Sequence, residues 1–221
     1  MKRGTKKRIL IVDDHPMMRQ GLAQLIDNES DLSVCGEADT AGQALTGIGT
    51  QKPDLVIADI SLPDKNGLEL IKDLQAMHSS LPVLVVSMHD ESLYAERVLR
   101  AGGRGYIMKQ EGGKKLMEAI RQVLSGQIYV SEKMSAKILE IFSGRRPQAS
   151  HSPLEHLSDR EFEVFQLIGE GKATREIADH LHLSVKTVEV HRANIRKKLK
   201  LGSGTDVVHQ AIRWVESQKP S

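Results

Sequence analysis

At 221 residues, with 39% hydrophobic and 27% charged side chains and a formal net charge of +2, the chain can bury two ordinary cores. That composition excludes global disorder. Cys35 is the only cysteine, which excludes an internal disulfide and a multi-cysteine metal centre and suits a reducing compartment. The basic start, Met1 to Arg8, is followed by an apolar run, Ile9 to Val12, too short for a signal peptide. No stretch is long enough to span a bilayer, so a cytoplasmic protein without a membrane partner is expected.

In chain order, strands are predicted at Arg8–Val12, Leu32–Ala38, Leu55–Ala58, Val83–Ser87 and Gly105–Met108. Helical spacing lies between and after them, as in Met18/Leu22/Leu25/Ile26 and Leu116/Ile120/Val123/Leu124. The second helix rests on Leu45 and Ile48 alone, among Gly42, Gly47 and Gly49. Five strands alternating with helices imply βαβ units, hence a doubly wound α/β fold on a five-stranded parallel sheet. Met134, Ile138, Leu139, Ile141 and Phe142 form a short amphipathic helix, and residues 144–153, "GRRPQASHSP", read as a linker. Beyond it no strand pattern remains. Four helices are predicted there, at Asp159–Gly169, Thr174–Leu181, Val185–Lys200 and Asp206–Ser217.

The charge divides with the pattern. Residues 8–125 carry twelve Lys/Arg against seventeen Asp/Glu, whereas residues 186–200 carry six basic residues against Glu189 alone. An acidic front and a basic back point to different partners.

In a doubly wound sheet, the carboxyl ends of the strands converge on one crevice. Strand one ends in Asp13 and Asp14, strand three in Asp59, strand four in Ser87 and strand five in Lys109. Clustered carboxylates repel, and a hard divalent cation such as Mg2+ resolves the conflict while keeping open positions. With a lysine and a hydroxyl beside it, such a site suits a phosphoryl group, and a carboxylate can act as the nucleophile.

"ILIVDDH", "DLVIADISLPDKNGLEL", "PVLVVSMHD" and "GYIMK" resemble the receiver domain of two-component response regulators, over about residues 7–125. The resemblance implies a flavodoxin-like receiver, with Asp59 as phospho-acceptor and Mg2+ held by Asp13, Asp14, Asp59 and the Ser61 carbonyl. It further implies Ser87 as the hydroxyl, Lys109 as phosphate partner and Tyr106 as a switch aromatic. Ser87 stands where many members carry threonine, and the missing methyl bears on switching. Residues 126–152 are then a linker with a short helix.

The last third carries two helix starts of recognisable chemistry. Ser158 with Glu161 makes a capping box, and Ser184 caps the helix from Val185. Thr174–Leu181, a turn at His182–Leu183 and the helix after it outline a helix-turn-helix. On that second helix Val188, Ile195 and Leu199 share the inward face, while Lys186, Val190, Ala193 and Lys197 lie opposite. Thr187 and Asn194 flank one side, and Glu189, Arg196 and Lys200 the other. An outward valine and alanine on a basic face suit thymine methyls in a major groove, with Asn194 or Glu189 able to read base edges. Lys186, Arg192, Lys197 and Lys198 suit the phosphates of double-stranded DNA. His191 lies at the margin of the inward face, where a packing or phosphate role fits better than a metal.

Residues 153–218 resemble the LuxR-type DNA-binding domain, with "TVEVHRANIRKKL" close to its signature. Joined to a receiver, this places the chain in the NarL/FixJ class and implies a recognition helix at residues 185–199. "GKATREIA" has Thr174 where asparagine is usual, still a competent cap, and Gly204 stands where a basic residue is common. In the last helix Val207, Val208, Ala211, Ile212 and Val215 form a broad stripe with Trp214 beside it. Half of that stripe can cover the core and half a second copy, so a homodimer on two half-sites is expected.

The expected function is a DNA-binding transcription regulator, not an enzyme, phosphorylated on Asp59 by a partner sensor histidine kinase. Phosphorylation is expected to unmask the basic helix or to promote dimerisation. A Mg-dependent phosphohydrolase with Asp59 as nucleophile shares the crevice, but needs a general acid and a substrate cap that the short loops do not provide. A phosphorylation-independent DNA-binding dimer would leave Asp59 inert.

Overall fold

The apolar runs form one parallel sheet. A computed structural model of the chain describes residues 6–142, 153–181 and 183–217. Two compact units emerge, Met1–Ser143 and Gly144–Ser221. The stretches expected as a basic start (1–5) and a linker (144–152), and the turn residue His182, lie outside the described residues.

In the first unit β1 (Lys7–Val12), β2 (Leu32–Ala38), β3 (Leu55–Ala58), β4 (Val83–Ser87) and β5 (Gly105–Met108) alternate with α1 (Pro16–Asp27), α2 (Ala41–Gln51), α3 (Gly67–Met77), α4 (Glu91–Ala101) and α5 (Gly113–Leu124). The order across the sheet is β2-β1-β3-β4-β5, all parallel. Direction of travel reverses between β1 and β3, which puts the crevice at their carboxyl ends. Central β3 is covered on both faces, and none of its four residues is more than 1% exposed. Alternate residues face opposite ways. Ile9, Ile11, Leu55, Ile57, Leu84, Val86 and Ile107 pack against Leu22 and Ile26 of α1 and Leu116, Ile120 and Val123 of α5.

Two helices differ from their sequence reading. α2 holds through Ala41, Ala44 and Ile48, with Leu45 only half-buried, so alanines rather than leucines form its inward face. Leu25, expected inward on α1, is 42% exposed.

Residues 126–142, expected as the front of a linker, lie in the first unit. Tyr129 forms a parallel bridge with Gly105, and α6 (Glu132–Phe142) begins beyond it with Met134 2% exposed.

The described part of the second unit begins with a short 3-10 turn, Pro153–His156, and then holds α7 (Asp159–Gly169), α8 (Thr174–His180), α9 (Val185–Lys198) and α10 (Gly204–Ser217). Ser158 and Glu161 form the expected capping box on α7, and the Ser184 side chain accepts the Thr187 N–H on α9. Thr174 is not the cap of α8. The cap is Ala173, which has no acceptor, and Glu176 compensates by accepting the Ala173 N–H at 2.7 Å. Helices α7 and α10 touch at Gly169, where a Cβ would lie 2.4 Å from the Ala211 carbonyl oxygen. Trp214, expected beside the apolar stripe, is half-buried and packs on the core, meeting Phe162 edge-on at 5.4 Å and Phe165 at 5.9 Å.

Candidate phosphoryl-acceptor pocket and nucleic-acid face

Register places the acidic residues. Val12 pairs with Ala58, and the Asp59 N–H donates to the Val12 carbonyl at 2.8 Å, so the next residues of the two strands stand side by side. Asp13 and Asp59 are 2% and 4% exposed. On the far side, Ser87 ends β4 and Lys109 follows β5, tied by the Lys109 N–H to the Ser87 carbonyl at 2.8 Å. The structure therefore gathers Asp13, Asp14, Asp59, Ser87 and Lys109 at one end of the sheet.

Lys109 Nζ lies 2.6 Å from Asp13 Oδ2 and 2.6 Å from Asp59 Oδ2, with its side chain 3% exposed. Burial works against the ammonium, but Asp59 and Asp13 outweigh it and hold its pKa above the usual lysine value. The other oxygens are spoken for locally. Asp13 Oδ1 accepts the His15 N–H at 2.9 Å, and Asp59 Oδ1 the Ile60 N–H at 2.6 Å.

Asp14 differs. His15 occupies the cap position of α1 with Pro16 after it, so the Asp14 carboxylate does not cap that helix. Its Oδ1 is buried and lies 2.6 Å from His15 Nδ1, an exposed imidazole. Among the described residues Asp13, Asp14, His15 and Asp59 each offer a ligand atom, all within 4.8 Å of one another. Three carboxylates converging on one point fit a hard divalent cation. His15 is the one member the sequence reading missed. As a nitrogen donor it suits such an ion less well than the three aspartates.

Loops frame this pocket. Gly67 sits so close behind Asp59 that a Cβ there would lie 2.2 Å from the Asp59 carbonyl oxygen, and its N–H donates to the Ile60 carbonyl at 2.8 Å. Ser61, two residues after Asp59, places its hydroxyl 2.9 Å from His89 Nε2. Ser87 is fully buried, and the His89 N–H reaches its Oγ at 3.4 Å. Tyr106 is fully buried as well, with its hydroxyl donating to the His89 carbonyl at 2.8 Å. Burial, with the nearby Asp59 charge, pushes that phenol far above the normal tyrosine value despite a favourable contact with Ser87. The ring of Tyr106 thus points inward.

In the second unit, helical geometry sorts α9 as its sequence implies. Val188, Ile195 and Leu199 are buried, while Lys186, Glu189, Ala193, Asn194, Lys197 and the 52%-exposed Val190 face solvent. Thr187 and Arg192 are half-buried at the edges of that face. Lys198 is committed elsewhere: its Nζ lies 2.6 Å from Oε2 of Glu161, a carboxylate 4% exposed. Burial opposes ionisation of Glu161, but Lys198 together with the Ser158 N–H and hydroxyl outweighs it and keeps the carboxyl below its usual range. His191 is half-buried, with Nδ1 buried and unbonded. Burial depresses its pKa, Arg160 adds to this, and Glu161 opposes it. Among the described residues, no helix is long and apolar enough to cross a membrane.

Comparison with known proteins accounts for both units. Residues 9–121 match the response regulator receiver domain, and residues 155–211 match the bacterial regulatory proteins of the luxR family. The oxygen regulatory protein NreC of Staphylococcus haemolyticus is 32% identical over 210 residues, covering 93% of this chain and 97% of that protein. The response regulator GacA of Pseudomonas viridiflava is 34% identical over 207 residues, covering 93% and 95%. Among solved structures, a two-component response regulator of the LuxR family from Aurantimonas superposes with a TM-score of 0.58 at 31% identity, over 63% of this chain and 99% of that one. RcsB from Salmonella enterica, bound to promoter rprA in the presence of phosphomimetic BeF3-, shares the fold with a TM-score of 0.67 at 24% identity, over 93% and 98%. The chain therefore belongs to the response regulators of two-component systems, as a DNA-binding transcriptional regulator built from a receiver domain and a LuxR-type helix-turn-helix domain.

Proposed function

We propose that Asp59 is the phospho-acceptor and that its modification by a partner sensor histidine kinase controls binding of a homodimer to double-stranded DNA. The observation that carries this is the pairing of buried Asp59 and Asp13 with buried Lys109, beside an Asp14 carboxylate oxygen within 4.8 Å of theirs. In the transfer, a carboxylate oxygen of Asp59 attacks the phosphorus of a phosphohistidine. The P–N bond breaks, and the imidazole leaves with the electron pair. Asp13, Asp14, Asp59 and the Ser61 carbonyl would hold Mg2+, which when bound neutralises phosphoryl charge. Lys109 gives up a carboxylate partner to pair with a phosphoryl oxygen, and the Ser87 hydroxyl donates to another. Movement of the β4–α4 loop follows, since the Ser87 Oγ and Tyr106 hydroxyl both bind His89.

On DNA, Val190 and Ala193 approach thymine methyls, Glu189, Thr187 and Asn194 face base edges, and Lys186, Arg192 and Lys197 bind phosphates. Lys198, with its ammonium on Glu161, acts first by holding α9 against α7. Val208 and Ile212 on α10 are half-buried and give a second copy an apolar surface. A non-enzymatic role in the cytoplasm accords with this reading.

The test is intact-mass analysis after incubation with acetyl phosphate and Mg2+. One phosphoryl adduct is expected on the wild type and none on Asp59→Ala. An adduct that persists in the variant sinks the assignment.

A further inference from the structure

The segment between α5 and α6 is used by nothing described so far, yet among the described residues it is fastened to the pocket's output side at two points. On β5 the fastening is main-chain. The Tyr106 N–H donates to the Tyr129 carbonyl at 2.9 Å, and the Tyr129 N–H donates to the Arg104 carbonyl at 3.0 Å. Gly105 makes room, since a Cβ there would lie 2.9 Å from the Tyr129 carbonyl oxygen. On α4 the fastening is one side chain. Glu91 Oε1 accepts the Ser131 N–H at 2.7 Å. Ser131 in turn starts α6: its hydroxyl accepts the Met134 N–H at 3.1 Å and its carbonyl the Ser135 N–H at 2.8 Å.

Both anchors belong to the switch. Tyr106 joins β5 to the β4–α4 loop through its hydroxyl on the His89 carbonyl, and Glu91 is the first residue of α4, two positions after His89. Ser131 lies two positions after Tyr129, and two residues of chain reach about 7 Å at full extension. So short a span cannot follow both anchors if the β4–α4 loop moves relative to β5. The weaker attachment must give way. Among the described residues, 129–131 reach α4 through the one Glu91 bond and β5 through a pair of main-chain bonds, so the Glu91 bond is the weaker, although α6 itself also packs on α4.

We propose that residues 129–134 form a strap through which the state of Asp59 reaches α6, with the Glu91 carboxylate as its releasable catch. Glu91 is a positioning residue, since it touches neither the acidic pocket nor DNA. The coupling rests on the phospho-acceptor reading above, whereas the attachment itself does not.

Hydrogen exchange of the full-length protein, followed by mass spectrometry, tests both parts. Acetyl phosphate with Mg2+ is the probe, and adduct formation is checked by intact mass. In the wild type, phosphorylation is expected to speed exchange across residues 129–136 about tenfold, the effect of losing one charge-assisted hydrogen bond. Glu91→Ala should show that speed without phosphodonor, and Glu91→Gln, which keeps an acceptor oxygen, should stay close to the unmodified wild type. All three should take up the phosphoryl group to the same extent. Unchanged exchange in this segment when the wild-type adduct forms overturns the coupling. Unchanged exchange in Glu91→Ala overturns the catch. If no adduct forms, the phospho-acceptor reading fails and the coupling with it, and the unmodified variants still decide the attachment.

Discussion

Replacing Gly67 by alanine perturbs the acidic pocket from behind. The new methyl carbon would lie 2.2 Å from the Asp59 carbonyl oxygen, 2.8 Å from Ile60 Cα and 3.0 Å from the Asp59 carbonyl carbon. These are backbone atoms of the strand end, with no side chain to swing away. Restoring van der Waals contact takes a shift of about 1 Å. That shift strains the strand end and weakens the 2.8 Å bond from the Gly67 N–H to the Ile60 carbonyl. Overpacking of this kind costs about 1–3 kcal/mol. With a urea dependence of about 2 kcal/mol per molar for a small domain, the unfolding midpoint should fall by roughly 1 M.

The fluorophores separate the two units. All three tyrosines, Tyr94, Tyr106 and Tyr129, lie in the first unit, and the only tryptophan, Trp214, lies in the second. In full-length Gly67→Ala the tyrosine-detected midpoint should drop while the tryptophan-detected one stays. Phosphorylation by acetyl phosphate should slow as well, by up to about a hundredfold for a displacement of this size. A tyrosine midpoint equal to the wild type would refute the close approach of α3 to Asp59.

Lys109→Met removes the buried cation shared by Asp13 and Asp59, a class of change that costs about 3–5 kcal/mol. In EDTA its tyrosine-detected midpoint should fall well below the wild type, and Mg2+ should restore much of the loss; a midpoint insensitive to Mg2+ would count against a shared metal site. Lys198→Met strips the partner from buried Glu161. Because Lys198 is 39% exposed, the cost is discounted to about 1–2 kcal/mol, read by Trp214. Glu161 titrates in the fold below its usual 4.5, so its stabilisation is present above that value and disappears as pH falls through the folded pKa. The gap between wild type and Lys198→Met should narrow in acid, and a gap constant with pH would show that the ion pair is not its source.

Strand ends were the legible part of this molecule. Leu55–Ala58 announces a buried strand by composition, and the doubly wound pattern alone brings Asp13, Asp59, Ser87 and Lys109 to one crevice. Local helix chemistry was legible too, as at Ser158 and Ser184, because capping acts over three residues. Features that depend on distant pairing were not. Glu161 advertises its capping role, but nothing local links it to Lys198, 37 positions away. Lys198 therefore reads as one more phosphate ligand in a basic run. Tyr129 makes a bridge one residue long, too short for any periodicity, and residues 126–142 accordingly read as linker. Thr174 reads as the cap of α8 because its type suits the position, whereas the chain turns one residue earlier, at Ala173.

The inward ring of Tyr106 has an energetic corollary. A modification shifts an equilibrium only by its difference in free energy between the two states. In this structure the ring is sequestered and its hydroxyl is satisfied on the His89 carbonyl. On the proposed reading, a modification of Asp59 that leaves the ring so placed gains nothing from burying that aromatic. Whatever bias it imposes must come from the charge at Asp59 and from the loop contacts that charge rearranges.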